Sequence, residues 1–279
     1  MPYKVYAMDT YFYNTMGNYD FDARCEMLRE LGYDGTYLTL WSQQAWDDLP
    51  KLAHVQSKHG LEVAGVYATL DITAGDQDGE NQRILRLVES VEGCRHVELA
   101  IKASDVTLNR SDEEGDVDAR VWLERLLEPA AKRGITIALY PHINQWLERL
   151  DDAARLCRKI HHPNLGAVFT GYHWYAVDGK NLWARLEEAG PYLRSANLCG
   201  SRKVIQGKDT VCSIETLDQG ELDNFTALGL LKKTGYKGMV GFQGYGLGGD
   251  AYGNLKRSLT AFRDMEKRLE AHPHWGELR

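Results

Sequence analysis

The feature that most constrains this 279-residue sequence is an alternation of short apolar runs with amphipathic stretches, repeated eight times. This alternation predicts β-strands separated by α-helices, the arrangement that builds a parallel sheet. The predicted strands are 5–9, 36–40, 61–67, 97–102, 135–140, 165–170, 193–198 and 238–243. A typical one-domain barrel has about 250 residues. The sequence therefore predicts a single α/β domain over 1–279, folded as a (β/α)₈ TIM barrel.

Helices are predicted in the intervals between these strands. They cover 21–31, 45–58, 81–92, 118–132, 150–160, 182–189, 223–234 and 251–269. Four of them are followed by a glycine, which readily adopts the left-handed conformation that ends many helices. The longest stretch without a periodic pattern, 200–222, follows the seventh strand and is predicted to be a loop.

Charge and composition exclude several classes of protein. The formal net charge is −7 and no dense cluster of Lys and Arg appears, which argues against a nucleic-acid partner. No apolar run approaches the roughly 18 residues of a membrane span, and the N-terminus lacks the apolar core of a secretory signal. The five cysteines have no regular spacing, which indicates reduced thiols in the cytoplasm. We expect a cytoplasmic protein that binds a small molecule, with neither nucleic acid nor membrane as partner; a homo-oligomer stays open.

Side chains alternate along each strand, so one set points into the barrel, and its polar members should meet at the C-terminal mouth. The sets predicted to point inward are Val5, Ala7, Asp9 and Tyr11 in strand one; His96, Glu98, Ala100 and Lys102 in strand four; Ala138, Tyr140, His142 and Asn144 in strand five; Ser195, Asn197 and Cys199 in strand seven; and Gly241, Gln243 and Tyr245 in strand eight. The polar residues predicted to converge there are Asp9, Glu98, Lys102, Tyr140, His142, Asn144, Asn197 and Gln243.

Two histidines carry the predicted catalysis. His142 and His173, the latter after strand six, have side chains that titrate near neutral pH and suit general acid–base catalysis. Asp9, Glu98 and Lys102 are the other predicted catalytic residues, which would orient a base or stabilise an oxyanion. The predicted substrate-binding residues are Tyr140, Asn144, Thr170, Asn197, Gln243, Trp174 and Tyr245.

Each of these residues also has a purely structural interpretation. Glu98 and Lys102 would pair with each other inside the barrel, and Asp9 would hold a neighbouring turn. The amides of Asn197 and Gln243 would only fix the strand ends. The aromatic side chains that would either face a sugar or merely pack are Trp41, Trp146, Trp174 and Tyr245.

Four phrases of the sequence resemble a known family. They are LGYDG before strand two, KRGITIALYPHINQW at strand five, HPNLGAVFTGYHW at strand six and GYKGMVGFQGYG at strand eight. Together they resemble sugar phosphate isomerase/epimerase-like proteins of the xylose isomerase-like TIM barrel superfamily. The resemblance spans nearly the whole chain. It implies the barrel fold and a divalent metal (Mn, Mg or Zn) that handles the hydroxyl and carbonyl oxygens of a sugar.

The usual metal ligands of that superfamily are substituted here. Family members hold the metal with a glutamate, an aspartate, a histidine and a glutamate at the ends of strands five to eight. The resemblance places these positions at Tyr140, Thr170 (or Phe169, if the alignment moves by one), Asn197 and Gln243. None is ionised at neutral pH, whereas a hard cation needs anionic oxygens and a softer one imidazole. We therefore predict no metal and no cofactor; a site rebuilt from Asp9, Glu98, His142 and His173 stays the alternative.

The sequence thus predicts a sugar isomerase/epimerase-like enzyme that acts on a small carbohydrate by acid–base chemistry. Isomerisation, epimerisation and β-elimination from a keto-sugar are not separated at this stage. The alternatives are a non-catalytic carbohydrate-binding pseudoenzyme and a metal-dependent isomerase or lyase. A nuclease, known elsewhere in the superfamily, is disfavoured because it needs several metals bound by many histidine and acidic residues.

Overall fold

Eight parallel strands close into a barrel, which confirms the predicted (β/α)₈ fold. The structure, a computed structural model, describes residues 2–207 and 209–277. The first barrel strand pairs with both the second and the last, and this closes the sheet. The barrel strands are β1 (Val5–Ala7), β2 (Gly35–Thr39), β3 (Glu62–Asp71), β4 (His96–Lys102), β5 (Thr136–Leu139), β6 (Leu165–Thr170), β7 (Leu193–Leu198) and β10 (Val240–Phe242).

Helices surround the sheet and bury their apolar faces against it. They are α1 (Phe21–Leu31), α2 (Gln43–Asp48), α3 (Val55–His59), α4 (Gly79–Ser90), α5 (Asp116–Arg133), α6 (Leu150–Ile160), α7 (Gly171–Val177), α8 (Leu182–Ala189), α9 (Asn224–Lys233) and α10 (Ala251–Ala271). The predicted helix 45–58 is divided, because a 3₁₀ segment at Leu49–His54 separates α2 from α3. Pro50 accounts for the break, since it has no N–H to donate within a helix. None of the described helices has the length and apolar character that a bilayer span requires.

Two elements near the mouth differ from the predictions. The stretch predicted as a loop, 200–222, contains an antiparallel hairpin formed by β8 (Lys203–Gln206) and β9 (Asp209–Cys212). Val204, Ile205 and Val211 are β-branched residues that favour strands. The short helix α7, which follows β6 directly, was not predicted.

The barrel interior is filled largely by aromatic side chains. Tyr6, Tyr37, Tyr67 and Tyr140 form a cluster inside the barrel, separate from the larger core between sheet and helices. The inward faces predicted for β4 and β5 are confirmed by Ala100, Ala138 and Tyr140, which belong to this inner cluster.

The inward face predicted for strand one is wrong. Tyr6 and Met8 point into the barrel, whereas Val5 and Ala7 pack outward against the helices. All four are buried apolar side chains, so their alternation carries no polarity signal from which the face could be read. The strand also ends at Ala7, and the chain turns into a 3₁₀ helix at Asp9–Phe12.

Candidate active site

The C-terminal mouth of the barrel is lined by side chains from at least five strands and the segments that follow them. The lining residues are Met8, Thr10, Thr39, Trp41, Tyr67, Tyr140, His142, His173 and Gln243. The structure thus brings Tyr140, His142, His173 and Gln243 together, as predicted. The free space between the lining side chains is only about 10 Å³, roughly enough for one water molecule. A sugar therefore has to displace at least one of these side chains to enter.

The two histidines form a close pair at this mouth. Their ring centroids lie 4.1 Å apart, with an interplanar angle of 37°. Nδ1 of His142 lies 2.7 Å from the carbonyl oxygen of Ile143, which only accepts hydrogen bonds, so Nδ1 is the donor. The N–H of Ile143 donates to Nδ1 of His173 at 3.2 Å, so that nitrogen is the acceptor. The backbone of Ile143 therefore contacts both imidazoles, and it fixes which ring nitrogen of each carries the proton.

These bonds assign opposite tautomers to the two rings. A neutral imidazole carries one proton, so His142 holds it on Nδ1 and His173 holds it on Nε2. Burial lowers the pKa of His142. Burial, with a smaller contribution from the neighbouring His142, lowers the pKa of His173 well below its ordinary value. Both rings are therefore neutral at pH 7, and the pair offers one basic nitrogen and one N–H donor.

Local sequence explains how the pair is held. His142 follows β5 and Pro141, whose carbonyl oxygen accepts a hydrogen bond of 3.0 Å from the Thr170 hydroxyl. Gly171 begins α7 close to β7, where a Cβ would lie 3.0 Å from the side chain of Leu198. The first turn of α7 then carries His173 back over the barrel.

Buried polar atoms without partners surround the pair. Nε2 of His173, both polar side-chain atoms of Asn197 and Oε1 of Gln243 have no hydrogen-bond partner among the described residues. Asn197 lies next to Tyr140, and the backbone N–H of Gln243 donates to β7. An unpaired buried polar group costs about 1–3 kcal/mol. These atoms are therefore candidate contacts for the hydroxyl and carbonyl groups of a ligand.

Aromatic rings close the mouth from above. Trp41 packs edge-to-face on Tyr67 at 5.8 Å and on Tyr245 at 5.7 Å. Trp41 and Tyr245 are each 49% exposed, whereas Tyr67 is buried. The sequence did not assign Met8, Thr10, Thr39 or Tyr67 to the site. Tyr67 is the last residue of the predicted third strand, and a residue at the C-terminal end of a barrel strand is expected near the mouth.

Asp9 is placed behind the mouth rather than in it. Its carboxylate accepts hydrogen bonds from the N–H and the hydroxyl of Thr39, at 2.9 and 2.6 Å, and from the Tyr13 hydroxyl at 3.0 Å. These bonds tie the segment after β1 to the end of β2. The prediction that it converges with the inward polar set is wrong, because the strand ends before it. The structural interpretation fits its contacts.

Glu98 and Lys102 do not pair with each other. Oε2 of Glu98 accepts a 2.6 Å hydrogen bond from the Tyr37 hydroxyl deep in the barrel, whereas Lys102 is exposed, with Nζ 3.7 Å from Asp71. Four residues along a strand span about 13 Å, and this separation explains the difference. Burial raises the pKa of Glu98 to about 7. The carboxyl therefore lies below the mouth and is partly protonated at neutral pH.

Two predicted substrate-binding residues also lie outside the mouth. Asn144 is exposed, with φ at 68°, and its N–H donates to Glu148. The indole N–H of Trp174 donates to the carbonyl oxygen of Lys180, and the ring packs on the outer core. Trp146 is also part of the outer core. These residues lie in loops or in a short helix after the strands. The alternation of side chains along a strand therefore does not predict where they point.

The donor set at the mouth does not fit the divalent metal that the resemblance implies. Tyr140, Asn197 and Gln243 are uncharged, and the Thr170 hydroxyl already donates to a backbone carbonyl. The nearby carboxylates of Asp9 and Glu98 are bonded elsewhere. Across residues 2–207 and 209–277, no three His, Cys, Asp or Glu side chains form a group able to hold a metal ion. The rebuilt cage of Asp9, Glu98, His142 and His173 is not formed in this arrangement.

Several solved structures share this fold. One is the IOLI protein with a binding zinc atom, with a TM-score of 0.77 and 17% identity over 95% of this chain and 98% of that one. Another is 3-keto-D-glucoside 4-epimerase, YcjR, from E. coli, with a TM-score of 0.74 and 15% identity over 94% and 99%. A third is an L-ribulose 3-epimerase, with a TM-score of 0.75 and 14% identity over 97% and 98%. At these identities the likeness shows the fold alone.

Sequence comparison gives the family. A search of curated proteins found no significant match. The profile described as xylose isomerase-like TIM barrel matches residues 25–264, which is most of the chain. With eight parallel strands closed around a histidine-bearing mouth, the chain belongs to the xylose isomerase-like TIM barrel family.

Proposed function

We propose that this protein is a sugar isomerase- or epimerase-like enzyme that moves a proton beside the carbonyl of a small carbohydrate, without a metal. The observation that carries the proposal is the pair of neutral imidazoles with opposite tautomers, His142 and His173. One supplies a base and the other a hydrogen-bond donor, about 4.1 Å apart between ring centres. Proton abstraction next to a carbonyl uses a base for the proton and a group that stabilises the developing oxyanion.

In the proposed reaction, Nε2 of His142 removes the proton from the carbon beside the carbonyl. The electron pair of the broken C–H bond forms the carbon–carbon double bond of an enolate, and the negative charge moves to the carbonyl oxygen. The Nε2–H of His173 donates a hydrogen bond to that oxygen. A neutral imidazole can act in this way when its pKa is low. Return of the proton from the imidazolium of His142 to the former carbonyl carbon gives the isomer, and the proton of the neighbouring hydroxyl then passes to the former carbonyl oxygen. Return to the original carbon gives the epimer once the enolate has turned its opposite face toward His142.

A neutral polyhydroxy substrate suits the remaining groups. The unpaired amide atoms of Asn197 and Gln243 match hydroxyl groups, and the Trp41 and Tyr245 rings offer apolar faces to sugar C–H groups. The names of two compared structures, a 3-keto-D-glucoside 4-epimerase and an L-ribulose 3-epimerase, support a sugar that bears a carbonyl. Because Trp41 and Tyr245 are half exposed, their rings are the ones we expect to move when the sugar enters.

A product assay tests the proposal. Aldoses, ketoses and 3-keto-glycosides are incubated with the protein in ²H₂O, and the products are examined by NMR. We expect a new isomer or epimer, or deuterium at the carbon beside the carbonyl. If no sugar exchanges deuterium or changes, the catalytic proposal is wrong.

The metal-free part of the proposal has its own test. Elemental analysis of protein purified without chelator is expected to find no stoichiometric transition metal, and activity is expected to survive EDTA. The double variant Tyr140→Glu with Gln243→Glu should raise the affinity for Mn²⁺, because it supplies two anionic oxygens where none exist. A metal bound by Asn197 or Gln243 in the unaltered protein would contradict this part of the proposal.

The second candidate function is carbohydrate binding without turnover. It is favoured by the uncharged side chains of Tyr140, Asn197 and Gln243 at the family's metal positions, which can hydrogen-bond sugar hydroxyls but supply no ligands for the family's metal. It predicts that sugars raise the melting temperature of the protein while no deuterium is exchanged.

A further inference from the structure

A large cavity lies at the opposite, N-terminal end of the barrel. Its volume is about 1440 Å³, which exceeds the usual 300–1,000 Å³ of ligand pockets. The N-terminal ends of β3, β4 and β7 form part of its wall, together with α9 and α10. This end of such barrels normally serves stability rather than chemistry.

Small side chains at inward positions open this cavity. Ala64 in β3 and Ser195 in β7 line it from inward positions, and Gly238, before β10, also lines it. Barrel interiors are usually filled by bulky branched residues in these layers. Polar groups form the inner end, where the Tyr6 hydroxyl lies 3.1 Å from Oγ of Ser195. His96 stands beside them, with Nδ1 3.3 Å from the carbonyl oxygen of Ala64.

An irregularity in the sheet turns an arginine toward this space. The register between β6 and β7 runs from Ala167↔Leu193 directly to Val168↔Ser195, so Arg194 is an extra residue in β7. Such a bulge redirects a side chain. Gly166 makes room for the arginine stem, since a Cβ there would overlap Cγ of Arg194. The strand pairing and this glycine therefore act together to place Arg194 at the cavity.

The guanidinium keeps free donors. One terminal nitrogen, Nη1, donates to the carbonyl oxygens of Pro191 and Leu193, each at 3.1 Å. Nε and Nη2 have no acceptor within the described ranges. A planar guanidinium with donors to spare matches a carboxylate or phosphate group.

The cavity is also more positive than the rest of the chain. Lys4 pairs with Glu62, and Arg263 pairs with Glu266. Four further cations that line the cavity form no ion pair with any residue the structure describes: Arg95, Lys232, Lys237 and Lys267. The acidic lining residues are Glu62, Glu266 and Glu270, and the first two already pair with Lys4 and Arg263. The cavity therefore carries an excess of positive charge, whereas the whole protein has a net charge of −7. A concave surface of one sign concentrates ligands of the opposite sign.

We propose that this N-terminal cavity is a second ligand site, which takes a small organic anion through a carboxylate or phosphate group bound by Arg194, with Arg95 and Lys237 at the rim. The apolar body of the anion would lie against wall residues such as Leu52, Val63 and Leu269. The site is separate from the sugar mouth and independent of the chemistry proposed there.

Calorimetry on the full chain tests this proposal with two pairs of probes. Adenosine 5′-monophosphate against adenosine tests the phosphate, and hexanoate against 1-hexanol tests the carboxylate. We expect at least one anion to bind, its uncharged counterpart to bind at least tenfold more weakly, and the affinity to fall with added salt. The probe that binds identifies which anion the site takes.

Variants locate the bound anion. Arg194→Met keeps the apolar stem and should weaken binding about tenfold or more, since a charge-assisted hydrogen bond is lost. Arg95→Met and Lys237→Met alter only the exposed rim and should each weaken binding severalfold, which keeps the test valid if the Arg194 variant is unfolded. Arg120→Met on the exposed face of α5 is the matched control, with no expected change.

Three outcomes would overturn the proposal. The first is that neither anion binds more tightly than its uncharged counterpart. The second is that binding survives all three cavity substitutions but is lost in His142→Ala, because the anion would then bind at the mouth. The third is a dimer in size-exclusion chromatography that Arg95→Met dissociates, because the cavity would then be covered by a second copy of the chain.

Discussion

The two ends of this barrel differ in how their inward positions are filled. At the C-terminal mouth, Tyr67, Tyr140 and two imidazoles leave about 10 Å³ of free space. At the N-terminal end, the small inward side chains of Ala64 and Ser195 border a cavity of about 1440 Å³. The mouth holds uncharged polar groups, and the opposite cavity holds cations. Groups suited to proton transfer therefore lie where there is least room, and cavity size alone would choose the other end.

The difference has a physical origin in the side chains rather than in the backbone. The same strands run through both ends, so the sheet offers each end a similar circumference. Aromatic rings, including the edge-to-face pair of Tyr67 and Tyr140 at 5.0 Å, fill that circumference at the mouth. At the N-terminal end the inward side chains of Ala64 and Ser195 are small, and a cavity remains between the surrounding residues. The two proposals assign proton transfer to one end of this barrel and anion binding to the other.

The largest effect is expected from removing the base at the mouth. His142→Ala should lower turnover by about 10²–10⁴-fold, because a positioned general base contributes that much. The fold should be retained, since the side chain is only partly buried at the rim. Steady-state kinetics with circular dichroism of the variant would measure both.

The control for this prediction is Arg120→Met, far from the mouth, which should leave turnover unchanged. His173→Ala should also lower turnover, because the oxyanion loses its donor. If the double variant of both histidines still turns over substrate at the original rate, neither imidazole takes part in the reaction.

A second prediction concerns Glu98, which lies inside the barrel. Its pKa is raised from 4.5 to about 7 in the folded protein, so the folded state binds more protons than the unfolded state between these values. Stability from the protonated form is therefore lost as pH rises through that window. The difference amounts to about 3 kcal/mol. Glu98→Gln cannot ionise and should avoid this loss.

Urea denaturation at pH 5 and pH 8 would measure this effect. The stability of Glu98→Gln relative to the unaltered protein should increase by up to about 3 kcal/mol at the higher pH. The two histidines titrate in both proteins and cancel in the comparison. Glu89→Gln, on the exposed face of α4, is the control. Equal pH dependence of the Glu98 variant and the unaltered protein would show that Glu98 is charged or solvated in the folded state.

The pH dependence of turnover gives a third prediction. His142 must be unprotonated to act as the base, and burial holds its pKa below 6.5. Activity should therefore persist below pH 6.5. Once the pH is below the lowered pKa of His142, activity should fall about tenfold per pH unit. A plot of kcat against pH would test this. An acid limb that begins above pH 6.5 would contradict the buried, neutral histidine.

The smallest effects are expected from the amides. Asn197→Leu and Gln243→Met should each weaken sugar binding by about 0.5–1.5 kcal/mol, the contribution of one neutral hydrogen bond. The stability of the free protein should change little, because both amide atoms of Asn197 and Oε1 of Gln243 have no partners in residues 2–207 and 209–277. Calorimetry and thermal unfolding separate the two effects. A large loss of stability with unchanged sugar affinity would make these amides structural only.

The sequence by itself determined the eight-stranded alternation, the closed barrel and the inward faces of β4 and β5. On those two strands polar and apolar residues alternate, so the sequence shows which face points into the barrel. It also brought Tyr140, His142, His173 and Gln243 to one end, because all four follow the C-terminal ends of parallel strands. On β1 the same method failed, since both faces of that strand are apolar and the strand stops before Asp9.

Only the tertiary structure decided what the polar residues contact. Glu98 bonds Tyr37 from another strand rather than Lys102 from its own, and Ile143 sets the tautomers of His142 and His173 through bonds that no spacing predicts. The bulge that turns Arg194 toward the N-terminal cavity depends on the pairing of β6 with β7. Alternation within a strand is a local property of the backbone, whereas these contacts depend on register and packing between strands.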